Sequence, residues 1–169
     1  MRTRKKYLLI IFTVLSLNIL IDRITKIGAS VFLKGEGVKT TLGGLMKLGY
    51  TENTGAFLSL GAGWPVFIKY LVLIVLPAGF CLYGIYYCLY KSADRKSAVI
   101  LSTIIGGGLG NIIDRIFYDF HVIDFLNFGI GNLRTGILNV ADLSVTFGAL
   151  ALVITEYSRA GKPDGTVEK

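Results

Sequence analysis

The sequence predicts an all-α membrane protein, with four transmembrane helices and a small extracytoplasmic β-element. Three observations predict it. Of the 169 residues, 53% are hydrophobic and only 17% charged, where a soluble domain carries about 25% charged residues. The apolar residues fall in four blocks, each near the ~20 residues that cross ~30 Å of hydrocarbon. Between the first two blocks, apolar and polar residues partly alternate, as they do in half-buried strands. Length suggests one domain, expected over residues 1–158, followed by a polar cytoplasmic tail at 159–169.

The first span is expected at about 7–24. Its basic start (Arg2, Arg4, Lys5, Lys6) and apolar run also resemble a secretory signal. The run exceeds the ~7–15-residue signal core, however, and Asp22-Arg23 follows without a small-x-small cleavage site, so an uncleaved span is expected. The outer segment, about 33–60, holds Val38-Lys39-Thr40-Thr41-Leu42 and Leu45-Met46-Lys47-Leu48-Gly49-Tyr50 around Gly43-Gly44. That pattern predicts a hairpin, whose apolar face would suit a membrane surface. The second span, about 64–90, is long enough to tilt, and neighbouring helices make its Pro77 tolerable. Cys81 and Cys88, seven apart on roughly one face, read as small hydrophobes. The third span is expected at about 98–116. There Gly106 and Gly110 form a small-xxx-small pair, expected to bring the third and fourth helices together. The fourth is expected at about 138–157, before a turn-rich tail expected to be disordered.

Charge orients these spans. Besides the N-terminal cations, Lys91, Arg95 and Lys96 fill the link between the second and third spans, and Arg159, Lys162 and Lys169 follow the fourth. Short basic flanks stay in the cytoplasm, which puts both termini inside. The formal charge of +7 marks span ends instead of one soluble basic face, which argues against nucleic-acid binding.

Threaded this way, the unusual polar residues reach one level. Asp22 and Lys26 end the first span, and Asn53 and Gly55 precede the second. Asn111, Asp114 and Arg115 lie in the outer third of the third span, at i, i+3 and i+4 on one face. Asp124 lies on the second outer loop; Asn139, Ala141 and Asp142 open the fourth span. An ionisable group in the bilayer costs about 2.5–3.5 kcal/mol on insertion scales, so such a cluster marks function.

The single histidine, His121, and the lack of a His-Glu-x-x-His pattern argue against a zinc peptidase. A Ser-His-Asp triad would need Ser144 with His121, and a Ser-Lys pair would need Ser30 with Lys26; only proximity supports either. Paired carboxylates remain. Two nearby Asp side chains cannot both ionise easily, so they share a proton. The ionised one activates water while the protonated one polarises the scissile carbonyl. Asp124, on a loop free to approach, and Asp142, anchored on a helix, form the best pair. Asp114, with Arg115 beside it, reads as a structural ion-pair or hydrogen-bonding partner, and Asp119 as a solvated acid. This chemistry needs neither a metal nor an organic cofactor. A proton- or ion-coupled transporter is the competing class; it predicts acids spread through the membrane thickness, where these cluster at one face.

The segments Asp22-Arg23-Ile24-Thr25-Lys26, Asn53-Thr54-Gly55-Ala56-Phe57, Gly110-Asn111-Ile112-Ile113-Asp114-Arg115, Val122-Ile123-Asp124-Phe125 and Leu138-Asn139-Val140-Ala141-Asp142 resemble, in order and spacing, the lipoprotein signal peptidases. These are signal peptidase II, the bacterial aspartic peptidases of family A8. The resemblance implies an inner-membrane enzyme that cuts the signal peptide from prolipoproteins, before a cysteine already carrying a diacylglyceryl group. Asp124 and Asp142 match the catalytic aspartates. Asn53, Asn111, Asp114, Arg115 and Asn139 match residues that line and brace the site, with Gly55 and Ala141 inside the same motifs. Asp22 and Lys26 match a further polar pair, and the outer hairpin matches an element that cradles substrate. The implied partners are prolipoproteins, membrane lipid and peptide antibiotics such as globomycin. One departure is the link Phe117-Tyr118-Asp119-Phe120, which is slightly long and adds an acid.

Overall fold

The computed structural model describes residues 2–91 and 94–160, with side chains from Tyr7 onward. The expected tail beyond Ala160 lies outside the described residues. Among the described residues, four helical segments are long and apolar enough to cross a membrane: Tyr7–Phe32, Val66–Tyr90, Arg95–Phe117 and Val140–Ala160.

Helix α1, Arg2–Phe32, continues past the apolar run that marks its span. Its outermost turns are inverted in polarity. Asp22, Lys26 and Ala29 are buried, while Ile24, Ile27, Val31 and Phe32 are exposed. Positions 22, 26 and 29 share one helix face, so this end of α1 hides its charges against the protein and turns its hydrophobes outward.

The second span is composite. Helix α2, Val66–Lys69, leads into a π-helical stretch, Tyr70–Val75, and then helix α3, Leu76–Tyr90. Pro77 sits at the start of α3. Its ring has no N–H to give, and the wider π turn before it makes room where a regular turn would clash.

Helix α4, Arg95–Phe117, starts with Asp94 accepting from the Ser97 amide. It is the centre of the bundle: 61% of its most apolar window is buried, against 11–17% in the other three spans. It packs on α1, on α3 and on α5, which spans Val140–Ala160. Glycines permit this, but not in the expected pairing. A Cβ on Gly106 would stand 2.7 Å from Asn18 Cβ of α1, and one on Gly107 would stand 2.5 Å from the Ala141 carbonyl oxygen of α5. Gly106 therefore seats α1, and Gly107 seats α5. Gly110 lies at the junction, where a Cβ would come 2.8 Å from Asp22 Oδ2 and 3.4 Å from Ala141 Cβ.

A four-stranded antiparallel sheet sits at one end of the bundle, in the order β1 (Lys39–Thr41), β2 (Met46–Asn53), β3 (Val122–Ile130), β4 (Leu133–Arg134). The expected hairpin is β1–β2, with Thr41 opposite Met46. The segment carrying Asp124, expected to be a loop, is instead strand β3. It pairs with β2 along the register Met46↔Phe128 to Asn53↔Val122, with one slip between Leu48 and Thr51. Its β-branched and aromatic residues explain the strand. The slightly long link before it makes a tight turn, with Asp119 and Phe120 at positive φ. Phe120 is buried there, edge-on to Tyr70 with 4.9 Å between ring centroids.

Candidate active site

Strand register delivers the first carboxylate. Thr51 lies opposite Asp124, which makes Asn53 its diagonal neighbour on the same face. Asn53 Nδ2 donates to Asp124 Oδ2 at 3.0 Å and also to the Ala56 carbonyl at 3.1 Å. Its Oδ1 accepts from the Gly55 amide at 2.9 Å, an Asx turn that holds the amide in one orientation.

A helix cap delivers the second. Asn139 Oδ1 accepts from the Asp142 amide at 2.9 Å, and Asp142 Oδ2 accepts from the Asn139 amide at 3.1 Å. This reciprocal pair is a capping box, with Asp in place of the usual Glu. It explains the spacing of three between these residues and puts a carboxylate at the positive end of the α5 dipole. With its oxygen taken, Asn139 turns Nδ2 to Asp124 Oδ1 at 2.6 Å. One asparagine thus ties both carboxylates together.

The third asparagine comes from α4. Asn111 Nδ2 donates to Asp142 Oδ1 at 2.8 Å, while its Oδ1 accepts from Lys26 Nζ at 2.9 Å and from Asn139 Nδ2 at 3.2 Å. Asp124 and Asp142 then face one narrow cleft, lined also by Asn53, Asn111 and Arg115. Burial, and next the charge of Asp142, push the Asp124 carboxyl up to about 6. A neighbouring groove of about 560 Å³ leads from Asn111, Arg115 and Asp142 out between Pro77, Gly108 and Val145 of three different spans.

Behind this cleft lies a buried ionic cluster. Lys26 Nζ is 2.9 Å from Asp22 Oδ2 and 2.7 Å from Asp114 Oδ2. Arg23 donates to Asp114, and to Asp22 Oδ2 at 2.7 Å. Asp22 Oδ1 accepts from the Ala141 amide at 3.1 Å, joining α1 to the first turn of α5. Two cations thus meet two carboxylates. Asp114 is the ion-pair residue the sequence suggests, but its partners are Arg23 and Lys26 of α1, not the adjacent Arg115. Neighbours one apart on a helix do not face the same way. Arg115 turns to the cleft side, donating to the Gly55 carbonyl at 2.8 Å and to the Asn111 carbonyl at 3.3 Å.

The two serine readings find no geometry. Ser30 Oγ donates to the Lys26 carbonyl, and the Lys26 ammonium is taken up by Asp22, Asp114 and Asn111. His121 Nδ1 lies 2.9 Å from the Tyr118 carbonyl and 2.8 Å from the Asp119 carbonyl, bracing its own turn. Arg23 is the residue the sequence reading passed over. Its signal was a second cation beside Asp22 in an apolar block, which needs a carboxylate from another helix. Arg134 of β4 is another cation whose partners are distant in the sequence. It donates to the carbonyls of Gly44 at 3.0 Å, Gly129 at 3.2 Å and Asn127 at 3.0 Å, binding the β1–β2 and β3–β4 turns together.

The family model described as signal peptidase (SPase) II matches residues 14–158. The chain is 37% identical over 141 residues to a lipoprotein signal peptidase of Thermodesulfovibrio yellowstonii, covering 81% of this chain and 87% of that one. It is 31% identical over 155 residues to that of Clostridium acetobutylicum, covering 91% and 97%. A solved bacterial membrane enzyme superposes with a TM-score of 0.81 over 94% of both chains at 21% identity, a likeness of fold.

Proposed function

Because the chain belongs to the signal peptidase II family and is a multi-span membrane peptidase, we propose that it removes the signal peptide from diacylglyceryl-modified prolipoproteins, with Asp124 and Asp142 as its catalytic pair. The observation that carries this reading is the shared cleft: two carboxylates from different elements, each held by two hydrogen-bond donors, face the same narrow space.

The mechanism follows from the environments of the two acids. Asp142 accepts hydrogen bonds from the Asn139 amide and from Asn111 Nδ2 at the first turn of α5 and serves as the base. Asp124 is buried on the strand beside it and holds the shared proton. Asp142 accepts a proton from water as the water oxygen attacks the scissile carbonyl carbon. Asp124 gives its proton to the carbonyl oxygen, forming a neutral tetrahedral diol. Collapse returns one hydroxyl proton to Asp124, breaks the C–N bond, and passes the proton held on Asp142 to the leaving amine. The pair ends as it began.

The substrate's diacylglyceryl group stays in lipid, and the groove past Pro77 and Val145 gives its cysteine a route from the bilayer to Asp142. Basic flanks support cytoplasmic termini and a site near the extracytoplasmic face of the bacterial inner membrane. Cyclic peptides such as globomycin are expected to compete at the same cleft.

Cleavage of a purified prolipoprotein tests the assignment. Asp124→Asn and Asp142→Asn are expected to be folded and inactive, by about 10³-fold or more. Asp119→Asn, at an exposed turn position with positive φ, is expected to cut normally. Normal cleavage by either of the first two would remove that residue from the mechanism.

A further inference from the structure

All three asparagines at the cleft work in one orientation, and the reason differs among them. An amide presents either its oxygen or its NH₂ to a neighbour, depending on what occupies the other side. Asn53 and Asn139 are held by backbone amides, those of Gly55 and Asp142. Asn111 is held by a side chain. Its Oδ1 faces Lys26 Nζ at 2.9 Å, and its Nδ2 faces Asp142 Oδ1 at 2.8 Å. Turned over, Asn111 would set NH₂ against an ammonium and against the NH₂ of Asn139, and its oxygen against a carboxylate. Lys26 has only donors, and its side chain is 2% exposed, so water does not replace it. The charges around it balance in number: Lys26 and Arg23 against Asp22 and Asp114. Its influence on Asp142 therefore travels through the amide as well as through its charge.

We infer that Lys26 is a positioning residue for peptide hydrolysis: its ammonium locks the Asn111 amide so that it donates to Asp142, keeping Asp142 the deprotonated member of the pair and leaving the shared proton on Asp124. This rests on the aspartic reading above. The charged groups nearest the pair are Lys26 from α1 and Arg115 from α4, with Asp22 and Arg23 of α1 and Asp114 of α4 behind Lys26.

The test is a pH–rate series on the full-length enzyme in lipid, with a prolipoprotein substrate. Lys26→Met alone leaves two buried carboxylates facing Arg23, and it risks misfolding. The working variant is therefore Asp22→Asn with Lys26→Met, which keeps one cation against one anion. It is compared with Asn111→Ala and with all three substitutions combined. The expected result is a fall in kcat on the order of tenfold or more, with KM little changed. The acid limb of kcat moves upward by about one pH unit, because a carboxylate that loses a donor protonates more readily. Adding Asn111→Ala to the charge-balanced variant costs nothing further, since both act through one hydrogen bond. A purely structural role for Lys26 would lower the active fraction without moving the limb. An unmoved limb, or fully multiplicative losses, overturns the inference. Asp124→Asn and Asp142→Asn run in parallel: if these are inactive while the Lys26 series keeps the wild-type pH profile, only the inference about Lys26 fails. If they cut normally, the aspartic reading fails and takes the inference with it.

Discussion

Asp124 is held by opposing influences. Burial and the neighbouring Asp142 charge raise its carboxyl to about 6, while donation from Asn53 and Asn139 pulls it down. Removing one donor leaves the upward pushes less opposed. Asn53→Ala is therefore expected to let Asp124 keep its proton to higher pH, moving the alkaline limb of kcat up by about half to one unit and lowering kcat roughly tenfold. A limb that stays put or moves down would show that Asp124 is not the proton-holding acid. The same shift bears on stability. The folded value of about 6 lies above the ordinary 3.8, so the folded state binds this proton more tightly than the unfolded chain does. That contribution is complete below about pH 3.8 and is lost as pH rises through about 6. The unfolding midpoint in detergent is expected to fall between pH 4 and pH 7 in the wild type, and Asp124→Asn should flatten that slope.

At the scale of elements, the glycines of α4 set how closely its neighbours approach. The virtual Cβ of Gly107 meets a backbone oxygen of α5 at 2.5 Å, with Val145 and Ser144 close behind. No side-chain rotation relieves a clash with backbone, so Gly107→Ala must push α5 away and with it Asp142. The expected cost is about 1–3 kcal/mol of stability, the usual penalty for overpacking, with a larger relative loss of activity. Gly79 of α3 is the contrast, because nothing lies within 4 Å of its virtual Cβ. Gly79→Ala is expected to gain about 0.5–1 kcal/mol from helix propensity. Denaturation midpoints for the two variants separate close packing from general intolerance of the helices to substitution. Strand β3 makes a similar point about elements. Its Val, Ile and Phe content was visible in the sequence, but a nine-residue apolar run is too short to span and carries an acid. Only pairing with β2 shows that Asp124 is held in a ladder and not swung on a loop.

At the scale of the molecule, two subassemblies meet at the cleft. The helix bundle supplies Asn111 and Asp142, and the sheet supplies Asn53 and Asp124. Arg134 stiffens the far end of the sheet through carbonyls from both of its turns. Arg134→Gln is expected to raise hydrogen exchange at Leu45, Asn127 and Gly129 while leaving the amides of α1, α4 and α5 protected. Substrate KM should rise with kcat nearly unchanged. Loss of protection throughout the helices would instead make Arg134 necessary to the whole fold.

Read alone, the sequence sets out four membrane-spanning helices, because lipid leaves a backbone no partner but itself and each span must be long and apolar. It also determined which polar residues share a level, since helix length and charge placement set depth. The family motifs were legible for the same reason: short spacings such as Asn139 to Asp142 or Asn111 to Arg115 are local. Partner choice was not local. Asp114 and Arg115 are adjacent in the chain, yet one faces α1 and the other the Gly55 turn. Gly106 and Gly107 are adjacent, yet one seats α1 and the other α5. About 100° of helix rotation separates such neighbours, and which element fills each direction depends on how whole helices and strands pack. That Lys26 reaches Asn111, that Asn53 lies diagonal to Asp124, and that one asparagine joins the two carboxylates all follow from packing in three dimensions.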